Sequence, residues 1–225
     1  MFAGHYAAAI AAKAIEPRAP FWALVAGCQL VDIAWSGLVV AGIERGRVDP
    51  SLPGSPLVLE HMPWTHSLPA AIAWALAAIL LAKPLLRLAW PAAIAIGAAV
   101  ASHWLLDLIV HRPDLALYPG GPKVGLGLWN YPVPEQAVEI ALIAIAGVFW
   151  TATRVRLGET AWPAAAFIAL LVAIQIVAAL LPAIASESLV ETAPTALAAY
   201  LAITVAAAVT SRQPRSRGAT PQPGL

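Results

Sequence analysis

Six apolar segments, each bounded by charged or proline-containing breaks, constrain this chain more than any other feature. They run over residues 20–43, 68–82, 91–111, 135–153, 162–182 and 193–210. A helix rises ~1.5 Å per residue, so about 20 apolar residues cross the ~30 Å hydrocarbon core of a bilayer. The chain of 225 residues is 60% hydrophobic and only 11% charged, with a mean hydropathy of +0.78. Soluble domains carry about 25% charged residues, so the chain reads as an all-α integral membrane protein with about six transmembrane helices. A shorter apolar stretch, residues 2–15, contains His5 and Lys13 and stops at Glu16-Pro17-Arg18. It reads as a short N-terminal membrane helix.

The spans belong to one polytopic domain over residues 1–210, with the histidines concentrated in residues 1–115. The basic, proline-rich tail over 211–225 is expected to be disordered. There is no soluble domain, no clear repeat and no basic region that would open a cleavable signal peptide. A net charge of +1 gives no footing for a nucleic-acid partner. The lone Cys28 excludes an intramolecular disulfide and a thiolate metal site. Residues 48–63 hold four prolines and a glycine and read as loop. Thr65 or Ser67 is the expected N-cap of the span at 68–82, with Pro69 in its first turn. Residues 114–134, rich in glycine, proline and aromatics, are expected to lie against the membrane surface or to cover a cavity.

Orientation follows from lysine and arginine asymmetry. With the tail in the cytoplasm, nine of the thirteen basic residues face inward, leaving Arg45, Arg47, Arg112 and Lys123 outside. This describes a multi-pass membrane protein. If residues 2–15 enter from the outer side, all five histidines lie at or near the outer face. At ~1.5 Å per residue, His103 sits ~12 Å below His111 and Asp32 ~16 Å below Ile43, so the two can share the floor of one cavity.

The span at 91–111 closes on a polar stripe. His103, Asp107 and His111 stand four residues apart, and each step of four advances only ~40° around a helix, so all three share one face. Ionisable groups in an apolar span are costly and mark function by default. Around them the sequence offers His5, Asp32, Glu60, His61, His66, Asp114, Glu135 and Glu139. Imidazole and carboxylate together are a ligand set for a divalent ion at a hydrolytic centre, with zinc first and manganese or iron behind it. Simpler roles stand beside this one. His5 or His61 alone suits an interfacial residue, Glu135 and Glu139 suit a helix first turn, and Arg112 with Asp114 suits a surface ion pair. Asp32 could pair with Gln29 or a tryptophan N–H, and Asp107 could orient a neighbouring histidine rather than bind the ion.

The features together resemble the family of bacterial membrane-bound, metal-dependent hydrolases typified by YdjM and YbcI. The matching residues are His5, Asp32 in Leu30-Val31-Asp32, the box HMPWTHS at residues 61–67, and SHWLLD at residues 102–107. The resemblance covers roughly residues 1–115. This chain has Val31-Asp32-Ile33-Ala34 where the family usually has proline-aspartate-x-aspartate, and Met62 where an arginine is usual. The resemblance implies metal ligands at His5, Asp32, His61, His66, His103 and Asp107, with His111 or Glu135 as general acid or base. It implies a hydrolase acting on a lipid or lipid-linked ester or phosphoester at the outer face of the membrane. The alternative from another class is a metal-ion or proton transporter using the same cavity, and the near absence of ionisable groups in the inner halves of the spans disfavours it. A b-type haem protein with His103 as axial ligand, or a scaffold without a site, completes the range.

Overall fold

The structure, a computed structural model, describes residues 1–180 and 188–211. Eight helices carry it: α1 (His5–Ile15), α2 (Phe21–Cys28), α3 (Leu30–Val40), α4 (Leu68–Leu85), α5 (Trp90–Val110), α6 (Pro132–Arg156), α7 (Trp162–Leu180) and α8 (Leu189–Thr210). Helices α4 to α8 are each long and apolar enough to cross a membrane, and α2 with α3 makes a sixth crossing if the bent pair is one span. Helices satisfy their own backbone hydrogen bonds, as a lipid environment demands. The expected all-α membrane architecture is what the chain adopts. Most of the basic tail lies outside the described residues, as do residues 181 and 182 of the expected 162–182 span.

The segment at 20–43 departs from the straight span expected of it. It breaks at Gln29 (φ −107°, ψ 4°), and α2 and α3 meet at 49°. Gln29 is fully buried and its Nε2 donates to the Phe2 carbonyl at 3.4 Å. At the break the last carbonyl of α2, on Cys28, accepts a hydrogen bond from outside its helix. Bends of this kind arise where a side chain enters the backbone ladder.

Helix α1 does not lie on the membrane surface. Its alanines allow close approach, and Tyr6, Ala9 and Ile10 are fully buried in the main core with Phe21, Leu24, Trp150 and Phe167. The unpaired N–H groups ahead of its first turn are taken up by the Glu139 carboxylate of α6, from Phe2 at 3.1 Å and from Gly4 at 2.7 Å. At its other end Lys13 donates to the carbonyls of Pro17 and Ala19. Helices α4 and α5 pack closely at Gly97, where a Cβ would stand 2.3 Å from the Ile79 side chain.

Both loops on the histidine-bearing side are more ordered than their composition suggests. Strands β1 (Arg45–Val48) and β2 (Leu57–His61) pair antiparallel, with Arg45 opposite His61 and Val48 opposite Leu57. Beyond the hairpin's first strand, Ser51 and Arg47 hydrogen-bond the Asp49 carboxylate and hold its pKa down to about 2. A second small pair, β3 (Leu115–Ala116) with β4 (Lys123–Val124), folds the later loop back. Leu126 and Gly127 then donate to the carbonyls of Leu108 and His111, closing the end of α5. Gly125 (φ +155°) permits this, since a Cβ there would lie 2.1 Å from the Arg112 carbonyl oxygen. Arg112 ties the two loops together through Asn130 Oδ1 and the carbonyls of Ser55 and Pro53.

Candidate metal centre

Four elements aim their polar side chains at one point. Helix α5 supplies His103 and Asp107 one turn apart, with His111 as the residue that ends it. Helix α3 supplies Asp32, and α1 supplies His5. His66 comes from the turn before α4, where Ser67 is the N-cap and accepts from the Ala70 N–H. His5, His66, His103, Asp107 and His111 are each at most 4% exposed.

Asp107 is the hub. Its Oδ1 lies 3.1 Å from His5 Nε2 and 3.8 Å from His111 Nε2, and its Oδ2 lies 3.1 Å from His103 Nε2 and 3.8 Å from His66 Nε2. The N-terminal ammonium of Met1 also donates to Oδ1, at 3.0 Å. Asp32 Oδ1 stands 3.4 Å from Nε2 of both His66 and His103. The meeting of Asp32 and His103, expected from helix depth alone, is therefore present. The His5 and His103 rings stack at 3.9 Å.

The far nitrogens of three histidines fix which nitrogen faces inward. His103 Nδ1 lies 2.9 Å from the Cys28 carbonyl, which can only accept, so Nδ1 carries the proton. His111 Nδ1 lies 2.9 Å from Asp114 Oδ1, again an acceptor. Thr65 donates its hydroxyl hydrogen to Glu44 Oε2 at 2.5 Å, so at 2.8 Å the same oxygen accepts from His66 Nδ1. In all three, Nε2 faces the two aspartates, and in the neutral ring that nitrogen carries the lone pair. Imidazoles that bind metal are held this way.

These partners were only partly foreseen. Glu44 closes the span at 20–43 in sequence, yet it is 1% exposed and also accepts from the backbone N–H groups of Trp64 and Thr65. Asp114 is not an ion-pair partner of Arg112: it is buried, holds His111 and accepts from the Leu59 N–H. Asp32 is held by neither Gln29 nor a tryptophan; the Tyr200 hydroxyl on α8 donates to its Oδ2 at 3.1 Å. The one tyrosine of α8, midway along the helix, was the available signal for that contact.

His61 does not join the group. It ends β2, paired across the hairpin with Arg45, and its side chain is exposed. The pairing shifts register between Arg45 and Gly46, and this irregularity breaks the strand's alternation, so His61 is exposed although Leu59, two residues earlier, is buried. Glu135 is buried and accepts from Gln136 Nε2, but it lines the wall of the adjoining cavity rather than the cluster. Glu139 is spent on the start of α1.

That cavity has a volume of about 480 Å³, in the range of small-ligand sites. Asp32, His66, Asp107 and His111 of the cluster line it, together with Trp35, Trp129 and Glu135 and with Ala178, Ala179, Ala196 and Tyr200 of α7 and α8.

The residues fit a divalent ion. One ligand atom each from His5, His103 and Asp107 lie within 4.8 Å of one another, and so do those of Asp32, His66 and His103. Ligands ~2.0–2.1 Å from a tetrahedral ion stand about 3.3 Å apart, close to the observed nitrogen–oxygen separations of 3.1 and 3.4 Å. His103 Nε2 and both His5 nitrogens are buried without a hydrogen bond, and a cation held by His103 Nε2 and one His5 nitrogen would remove that cost for those two atoms.

No curated protein and no solved structure matches the chain. A family model, described as YdjM inner membrane protein, matches residues 1–182. The match runs well past residue 115, through α6 and all of α7. With the apolar helices in place, the chain is a multi-pass membrane protein that belongs to the YdjM inner membrane protein family.

Proposed function

We propose that the chain is a membrane-embedded hydrolase dependent on one or two divalent metal ions, zinc first and manganese second. Its substrate would be a lipid or lipid-linked ester or phosphoester. The observation that supports this best is the convergence of three histidine Nε2 atoms, each fixed by a bond at Nδ1, on Asp32 and Asp107. His5, Asp32, His66, His103 and Asp107 would hold metal, and His61 is left out.

A divalent ion so held supplies a Lewis acid and lowers the pKa of a water toward ~7. The remaining roles fall to the chain's own groups. His111, held at Nδ1 by Asp114 and backed by the Trp129 ring at 3.9 Å, can take or give a proton at Nε2. Glu135 stands on the cavity wall as the second candidate for that role. The cavity is lined both by polar groups of the cluster and by alanines of two membrane helices, which suits an amphiphile lying partly in the bilayer. The excess of basic residues at the opposite end supports a site facing the periplasm and a cytoplasmic tail.

The test is turnover of a phospholipid or polyprenyl-phosphate substrate by the purified protein in detergent or nanodiscs. Loss of turnover with a chelator and recovery with zinc or manganese is expected. Bound metal with no turnover of either class contradicts the hydrolase reading, and metal flux across proteoliposomes would replace it with the transporter.

A further inference from the structure

We infer that Tyr200, on α8, is a positioning residue that fixes Asp32 so that one carboxylate oxygen is reserved for metal. The inference rests on the metal reading above. It concerns a helix beyond residue 182, where the family match ends.

Asp32 lies on α3, the longer half of a broken span, and its two oxygens face different neighbours. Oδ1 stands 3.4 Å from Nε2 of His66 and of His103. Oδ2 accepts from the Tyr200 hydroxyl at 3.1 Å. A carboxylate offers two oxygens and about four lone-pair sites, so an aspartate without a partner can swing between ligating through one oxygen or both. The phenol removes that freedom by occupying Oδ2. It does so as a neutral donor, adding no charge to a pocket that already holds two aspartates.

Tyr200 is itself held. It is 6% exposed, its ring lies 6.2 Å from that of Phe2, and Thr204 donates to its carbonyl at 2.9 Å. Helix α8 packs along both α2 and α3, spanning the break at Gln29, so the phenol reaches Asp32 from the helix that braces the bend. The second acidic residue usual in the family is Ala34 here. Asp32 is the only acidic residue of α3, and its orientation matters correspondingly more.

The experiment compares wild type, Tyr200→Phe, Asp32→Asn and the double variant, all full-length in detergent. Zinc affinity is read by competition with a chromophoric chelator, and coordination by the visible spectrum of the cobalt(II)-loaded protein. Tyr200→Phe removes one oxygen and keeps the ring. Losing an outer partner of a ligand typically weakens binding roughly 10–100-fold. We expect that loss, with a cobalt spectrum changed in position and intensity, and no further loss when the change is added to Asp32→Asn. Unchanged affinity and spectrum in Tyr200→Phe would overturn the positioning role while leaving the metal site standing. An equal loss in the presence and absence of Asp32 would also overturn it, assigning Tyr200 to packing. A wild-type protein that binds neither zinc nor cobalt would overturn the proposed function itself, and the positioning role with it.

Discussion

The two ends of the helical bundle both bury charge, and they handle it in opposite ways. At the end where α6 finishes, about 32 Å along the helix from Glu135 at ~1.5 Å per residue, cations meet their complements. Arg154 bonds Glu159 at 3.1 Å and the Thr160 carbonyl at 2.8 Å. Lys13 donates to two carbonyls, and Arg18 pairs with Glu16. At the end where α5 finishes, Asp32, Asp107, Glu135 and Glu139 line one cavity, and no lysine or arginine is among its described lining residues. Apart from the N-terminal ammonium at Asp107, Asp32 and Asp107 face histidine rings, and Glu135 and Glu139 accept from neutral N–H groups. Buried charges that pair with one another maintain structure, whereas a buried set short of positive charge is built to receive it. That contrast, rather than the number of histidines, sets the metal end apart.

The sharpest way to break the comparison is to remove ligands at one end. Replacing Asp107 with alanine deletes the residue that four histidines face, and bound zinc is expected to fall to background in elemental analysis. Next come the groups behind the histidines. Thr65→Val should weaken metal binding roughly 10–100-fold by freeing His66 to rotate, read by chelator competition, whereas Asp114→Ala should lower turnover with metal content kept, by freeing the acid–base residue His111. A smaller effect is expected at the cover over α5. Gly125→Ala forces a Cβ against the Arg112 carbonyl and should destabilise the chain by about 1–3 kcal/mol, seen as a lower thermal midpoint. At the opposite end, Glu159→Gln should lower the midpoint slightly and leave metal content unchanged, because Arg154 and Glu159 only hold the α6 terminus. The least effect belongs to His61→Ala, with metal content and midpoint both unchanged. A loss of metal in Glu159→Gln would erase the distinction between the ends, and a loss in His61→Ala would return His61 to the ligand set.

Much of this was legible in the sequence. The four-residue spacing of His103, Asp107 and His111 placed them on one face, and counting rise per residue brought Asp32 to the depth of His103. Both inferences depend only on helix geometry, which is local. What lay hidden depends on contacts across the fold. The break at Gln29 frees the Cys28 carbonyl for His103, and no pattern in a continuous apolar run announces it. Glu44 looked like the charged end of a span, although it stands behind Thr65 and His66. Tyr200 is 168 residues from Asp32. His61 and His66 share one short box, and only the strand pairing of β2 shows that one faces solvent and the other the cavity. The composition of the loops, rich in proline and glycine, hid two small hairpins whose backbone bonds draw the cover over the site.

The central claim is that the cluster around Asp107 holds a divalent metal through His103. Elemental analysis of the purified protein, wild type against His103→Ala, tests it most directly. The account predicts at least one equivalent of zinc or manganese per wild-type chain and close to none in a folded variant. Equal metal in both proteins, or none in the wild type after loading, would contradict it.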